Sequence, residues 1–162
     1  MIIGILSDTH DRANALAAGI ASLRKGGAEF FIHCGDIGGE ACIDLLAGLP
    51  SAFVFGNTDF DRATLARYAA SIDVACYGNF ANLELDGKKI AVIHGDDYKL
   101  KQRLLAAQEH DYLCQGHTHI RADERVGRTR IINPGALHRA AVKTVVTLDT
   151  KTDTVSVYEI RT

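Results

Sequence analysis

The chain has 162 residues and a formal charge of -2, so it carries no basic excess with which to track a nucleic-acid backbone. No apolar run approaches the roughly 20 residues that cross a bilayer; the start, Met1-Ile2-Ile3-Gly4-Ile5-Leu6, lacks a basic leader and a small-residue cleavage site and reads as a first strand. Cys34, Cys42, Cys76 and Cys114 form no Cys-x-x-Cys pair, which argues against a disulfide framework or zinc knuckle and fits a reduced, cytoplasmic setting.

At this length one domain, residues 1–162, is the default expectation. Ile2–Leu6 is an unbroken apolar run, the mark of a strand buried on both faces. Residues 11–25 carry Leu16, Ile20 and Leu23 at helical spacing, and Gly26-Gly27 supplies the stop. Residues 29–33 predict a second strand, 39–47 a short helix ended by Gly48 and Pro50, 52–55 a third strand and 61–70 a helix. Three strand-loop-helix units in a row predict a parallel α/β sheet. The second half differs in texture. Residues 80–85 alternate, Asp86-Gly87 is a hairpin signal, and 89–93 read as a strand. Residues 97–107 place Leu100, Leu104 and Leu105 on one helical face, and 112–114 form a short buried strand. From 120 onward strands dominate: 120–126, 129–132, 141–148 and 155–160, with turns at Gly127 and 149–153. The whole predicts two sheets packed together with helices outside.

Five segments that follow predicted strands carry the chemistry: Ser7-Asp8-Thr9-His10, Gly35-Asp36, Gly56-Asn57-Thr58-Asp59, His94-Gly95 and Gly116-His117-Thr118-His119. Strands of one sheet bring their ends together, so these donors are expected to line one pocket. Each segment alone has a plainer explanation. Asp8 could cap the next helix, Gly35-Asp36 is ordinary turn chemistry, and Asn57 tolerates turns and caps. A lone His94 after a strand is more often structural, and only the His117/His119 pair is informative by itself. The conjunction is specific. Seven donors (Asp8, His10, Asp36, Asn57, His94, His117, His119) mix carboxylate, amide and imidazole, which suits divalent first-row metals. Seven is too many for one four-coordinate zinc, and sharing one carboxylate between two ions makes the count work. Two ions about 3.5–4 Å apart clamp the attacking and leaving oxygens of a phosphoryl displacement and acidify a bridging water to hydroxide near neutral pH.

Rival readings fail on residues. A cysteine-phosphatase loop at Cys34 needs an arginine where Glu40 stands, and an aspartyl-phosphate enzyme needs a second acid where His10 stands. Neither G-x-x-x-x-G-K-[ST] nor G-x-G-x-x-G is present. His33 and His110 read as structural, while His138, just past Asn133-Pro134-Gly135-Ala136, could line the pocket. Phe60 reads as a hydrophobic anchor of the following helix, with stacking on a substrate base as the alternative.

The ordered motifs from Asp8 to Asn133-Pro134-Gly135 resemble the signature of the calcineurin-like metallophosphoesterases, and the size resembles the compact bacterial and archaeal phosphodiesterases of that superfamily. The resemblance implies an α/β (α+β) fold, a double β-sandwich of two mixed sheets flanked by helices in four αββα layers. It implies that Asp8, His10 and His119 hold one metal, that Asn57, His94 and His117 hold the other, and that Asp36 bridges them. Gly135 would let the backbone pass close to the pocket. The implied activity is a phosphodiesterase in which a metal-bridging hydroxide attacks phosphorus in line while Asn57 and the metals hold the phosphoryl oxygens. One departure stands out. Many members carry a substrate-facing histidine after the Asn; here the position is Thr58, a poor proton donor, which favours activated diesters over monoesters. The ligand types favour Mn²⁺, with Ni²⁺, Fe²⁺ and Zn²⁺ compatible. A small phosphoester substrate is expected, without membrane or nucleic acid, and the late strands leave room for a homo-oligomer. The alternatives are a non-catalytic protein-binding scaffold of the same fold and a nuclease. Retention of all seven donors weighs against the first, and the second needs a basic track.

Overall fold

A computed structural model describes residues 1–162. Strand β1 (Ile2–Leu6) is buried on both faces, as its apolar run requires. Ile3 and Ile5 point into a core shared between two sheets, and Leu6 points into a second core beneath helices. The chain continues through α1 (Ala13–Lys25), β2 (Phe30–His33), α2 (Glu40–Asp44), β3 (Ser51–Phe53), α3 (Arg62–Ser71) and β4 (Ala75–Cys76). The second half adds β5 (Phe80–Leu85), β6 (Lys88–Ile93), α4 (Tyr98–Ala107), β7 (Tyr112–Cys114), β8 (Ala122–Val126), β9 (Thr129–Asn133), β10 (Thr144–Asp149) and β11 (Thr154–Glu159).

The first sheet runs β11-β10-β1-β2-β3-β4, with β1 to β4 parallel and β10 and β11 antiparallel. The second runs β5-β6-β7-β9-β8, with β6, β7 and β9 parallel between antiparallel edges. Ile32, Val54, Ile90, Val92, Cys114 and Ile132 fill the space between the sheets. Leu16, Ile20 and Leu23 of α1 and Leu65 of α3 cover the outside of the first sheet. Leu105 of α4 covers the second against Ala91, Ile93 and Leu113. The layers are therefore helix, sheet, sheet, helix, the expected αββα order.

Local chemistry explains the boundaries. The turn after β5 has Asp86 and Gly87 both in the left-handed region (φ +53° and +71°), as a type I′ hairpin demands. The Asp97 side chain accepts from the Leu100 amide at 2.9 Å and starts α4. Helix α1 begins at Ala13 rather than at 11, because His10 and Asp11 sit at φ +47° and +64° and the chain is still turning. Residues 141–143 and 120–121 stay in loops outside β10 and β8, and β4 was not foreseen. No helix is long and apolar enough to cross a membrane.

The parallel strands position the site. The loops leaving β1, β2 and β3 carry Asp8, His10, Asp36 and Asn57; those leaving β6 and β7 carry His94, His117 and His119. The two sets of loops meet at the seam where the sheets face each other.

Candidate metal centre

All seven sequence-predicted donors converge. His10 Nε2 lies 3.3 Å from His119 Nε2, 3.5 Å from Asp36 Oδ2 and 3.8 Å from Asp8 Oδ1. His119 Nε2 is 3.1 Å from Asp8 Oδ1. On the other side, His94 Nε2 is 3.3 Å from Asp36 Oδ2 and 3.0 Å from Asn57 Oδ1, which is 3.1 Å from His117 Nδ1. Ligands about 2.1 Å from one cation stand roughly 3 Å apart, so these spacings are those of a coordination shell. Asp8, His10 and His119 form one three-residue group able to hold a metal, and Asp8, Asp36 and His94 form another. Asp36 Oδ2 stands between His10 and His94, while Asp8 Oδ1 is nearest His119 and 4.0 Å from His94 Nε2.

The bonding state of these atoms fits a cation. Asp8 is fully buried, its Oδ2 accepts from the His117 amide at 3.0 Å, and its Oδ1 has no hydrogen-bond partner. A buried carboxylate oxygen left without a donor is unfavourable by about 1–3 kcal/mol or more; a cation at that spot removes the penalty. His94 Nδ1 is 2.8 Å from the Cys34 carbonyl, which can only accept, so Nδ1 carries the proton. His94 Nε2 therefore faces Asp36 Oδ2 and Asn57 Oδ1: carrying a proton it donates to Asp36, and without one its lone pair points to the place a cation would occupy. Such an arrangement, with a backbone carbonyl holding the Nδ1 proton, is what a metal-ligating imidazole requires. Asp8 makes no cap on α1, whose first turn has no side-chain cap.

The carboxylates and imidazoles of the cluster also shift one another's titration. Burial pushes the Asp36 carboxyl up, but hydrogen bonds from His94 and the Thr58 amide outweigh it and hold the group well below the usual carboxylate range. Burial pulls His94 down, and the facing Asp36 and Asp8 carboxylates reverse this and raise it. At His10 burial prevails over the same two acids, and its pKa falls.

The backbone is arranged for the task. Asp8, His10, Asp36, His117 and His119 all occupy the left-handed region, at φ +54°, +47°, +52°, +69° and +59°. Strain of this kind, of order 1 kcal/mol per residue or more, persists only where surrounding structure over-determines it. Here the Asp8 amide donates to the Gly35 carbonyl at 3.0 Å and the His10 amide to the Asp36 carbonyl at 2.9 Å. Gly56 is required by proximity, since a Cβ there would collide with Asp36 Oδ1.

Several supporting residues escaped the sequence reading. Asp59, buried, accepts from the amides of Gly56 (2.8 Å), Gly38 (3.0 Å) and Ile37 (3.3 Å), tying the Asp36 loop to the Asn57 loop. Burial raises its pKa against the pull of those amides. Arg62 donates to the Gly56 carbonyl at 2.7 Å and the Asp59 carbonyl at 3.0 Å. Asn133 donates to the Gly116 carbonyl at 2.9 Å and accepts from the Gly135 amide at 3.0 Å. The Gly56-x-x-Asp59 spacing, in which a side chain reaches back to an amide three residues earlier, was the available signal for Asp59.

The remaining candidates sort by position. The Thr58 amide donates to Asp36 Oδ1 at 2.8 Å, and its hydroxyl lies 3.4 Å from His10 Nδ1. His33 is buried, with Nε2 2.7 Å from Thr9 Oγ1 and Nδ1 accepting from the Gly35 amide at 3.2 Å. His110 bonds Asn82 Oδ1 at 3.0 Å. The His138 ring stands 5.6 Å from that of His10, so His138 does border the centre. Phe60 anchors nothing: it is 87% exposed, because Asp59 and Arg62, not Phe60, hold the turn that precedes α3.

Residues 1–153 match the model of the calcineurin-like phosphoesterase superfamily domain. The chain belongs to that superfamily. This calcineurin-like phosphoesterase is 30% identical over 156 residues to phosphodiesterase MJ0936 of Methanocaldococcus jannaschii, covering 93% of the chain and 94% of the relative. It is 31% identical over 173 residues to the probable metallophosphoesterase YsnB of Bacillus subtilis, covering 98% and 91%. Its fold matches the solved structure of an archaeal phosphodiesterase with a TM-score of 0.90 at 27% identity, covering 99% and 100% of the two chains.

Proposed function

We propose that this calcineurin-like phosphoesterase is a phosphodiesterase in which Asp8, His10 and His119 would hold one divalent ion, Asn57, His94 and His117 a second, and Asp36 would be shared between them. The observation that carries the reading is the set of ligand-type atoms from both sheets that face each other, with Asp8 Oδ1 buried, without a hydrogen bond, and 3.1 Å from His119 Nε2. The mixed oxygen and nitrogen donors favour Mn²⁺, with Ni²⁺, Fe²⁺ and Zn²⁺ compatible. Bound ions would supply a nucleophile from water near neutral pH and neutralise charge on the phosphoryl oxygens, so no side-chain nucleophile is needed.

The protein's own residues prepare the site. The Cys34 carbonyl fixes the His94 tautomer, and the Thr58 amide keeps Asp36 ionised and oriented. Asn57 Oδ1 stands 3.0 Å from His94 Nε2 and 3.1 Å from His117 Nδ1, among the atoms that would hold an ion. The Thr58 hydroxyl rests near His10 and is a poor acid, so a leaving group must depart with little help. That requirement, together with the phosphodiesterase name of the relative at 30% identity, supports small activated diesters over monoesters.

The test pairs turnover with metal counting. Wild-type protein loaded with Mn²⁺ is expected to hydrolyse bis(p-nitrophenyl) phosphate and to bind two ions per chain by calorimetry. Asp36→Ala should lose about a thousandfold in kcat/KM, some 4 kcal/mol of transition-state stabilisation, and bind fewer ions. Full activity in that variant, or a wild-type protein that takes up no metal, overturns the reading.

A further inference from the structure

A cavity of about 530 Å³ opens beside the metal centre, walled by Asp11, Arg12, Ala13, His138 and Lys143. That volume lies in the range of small-molecule pockets, about 300–1,000 Å³. The cavity adjoins the ligand cage directly: Asp11 and Arg12 follow His10 in the chain, and His138 stands against the His10 ring.

The wall carries two cationic side chains, Arg12 and Lys143, and one acidic one, Asp11. Asp11 is the only acid in the wall, and its Oδ1 is engaged by the Gly39 amide at 2.7 Å. Lys143 Nζ donates to the Thr162 hydroxyl at 2.7 Å and to the Thr162 main-chain oxygen at 3.4 Å, and meets no acidic side chain. Arg12 is exposed and has no acceptor at all, whereas Arg130 is tied to Asp123 and Asp153 and Arg128 to Asp111. A guanidinium free to present its planar fork is suited to a phosphate. The backbone of the opening turn of α1 completes the wall.

We propose that this cleft binds a second, non-scissile phosphate group of the substrate, so that the preferred diesters carry a phosphate besides the one that is cleaved. The proposal rests on the reading of the adjoining centre as a phosphodiesterase site. Arg12 and Lys143 would hold the second phosphate in the ground state and the transition state alike, and so act on KM.

Two measurements test it. In the first, EDTA-treated protein is titrated with inorganic phosphate and followed by amide NMR, which needs no metal and no turnover. Saturable shifts are expected at Ala13, Asn14, Ala15 and His138, with at least tenfold weaker binding in the double variant Arg12→Gln/Lys143→Gln. In the second, Mn²⁺-loaded protein is compared on thymidine 5′-(p-nitrophenyl phosphate) with and without a 3′-phosphate. The double variant should lose about ten times more kcat/KM on the ester that bears the extra phosphate, through KM. Absent shifts, shifts centred elsewhere, undiminished binding in the variant, or equal losses on the two esters overturn the proposal. Phosphate binding in the cleft without turnover of either ester by wild-type protein overturns instead the reading on which it rests, and the two arms tell these failures apart.

Discussion

His33 shows how a single side chain can set a pH limit on the fold. It is wholly buried, and burial lowers its pKa from an ordinary 6.5 to about 3. Between those values the unfolded chain binds a proton that the folded chain refuses. The stability due to a neutral His33 is therefore complete above about pH 6.5 and is lost as pH falls towards 3. One such group contributes a slope of up to about 1.4 kcal/mol per pH unit. Urea unfolding is expected to show a decline in stability from pH 7 to pH 5 that is shallower in His33→Gln, whose amide can still donate to Thr9. Parallel declines in the two proteins would mean that His33 is protonated without penalty. The same residue shows what its neighbours in sequence concealed. Nothing in Phe31-Ile32-His33-Cys34 announced a bond to Thr9, since that contact exists only once β1 and β2 are paired.

At the scale of elements, the loops after β2 and β3 behave as one unit because Asp59 accepts three amides drawn from both. Asp59→Ala leaves those N–H groups buried or half-buried without an acceptor, which should destabilise the protein by about 2–4 kcal/mol. It should also weaken Mn²⁺ binding, since Asp36 and Asn57 are no longer held in register. Chemical denaturation and calorimetry check the two effects, and an unchanged metal affinity would show that the loops keep their places without the tie. Element by element, the sequence was most legible where periodicity was strong. Ile2–Leu6 read as a doubly buried strand, and Leu16, Ile20 and Leu23 marked the inner face of α1. It was least legible where context decides. The two residues Ala75-Cys76 pair with β3 and are too short for any period to show. Residues 141–143 look like strand but run on from the loop behind Asn133. Asp8, His10, Asp36, Asn57, His94, His117 and His119 stood out because each follows a strand. Asp59 and Asn133 did not, because they also bond the loops at 37–38 and 116, which only the fold brings near, and Arg62 did not, because its carbonyl partners in the preceding turn leave no pattern of side chains.

For the whole molecule, the seam between the sheets is the decisive feature. Asp8, His10, Asp36 and Asn57 come from the first sheet; His94, His117 and His119 come from the second. A cation held by both would cross-link the two halves of the sandwich and bind only the folded state. At a hundredfold excess of Mn²⁺ over Kd, that linkage adds about 2.7 kcal/mol. For a chain of this size the melting temperature should rise by roughly 5–10 °C, and EDTA should reverse the rise. A melting temperature indifferent to both would argue against any ion spanning the seam.

The left-handed geometry of Asp8, His10, Asp36, His117 and His119 carries an evolutionary implication. Glycine at any of these places would relax the backbone by about 1 kcal/mol, yet each exchange would delete a donor atom. On the proposed reading, robustness and turnover compete at the same five codons. A lineage released from its catalytic duty would be expected to drift towards glycine there first, growing hardier as it fell silent.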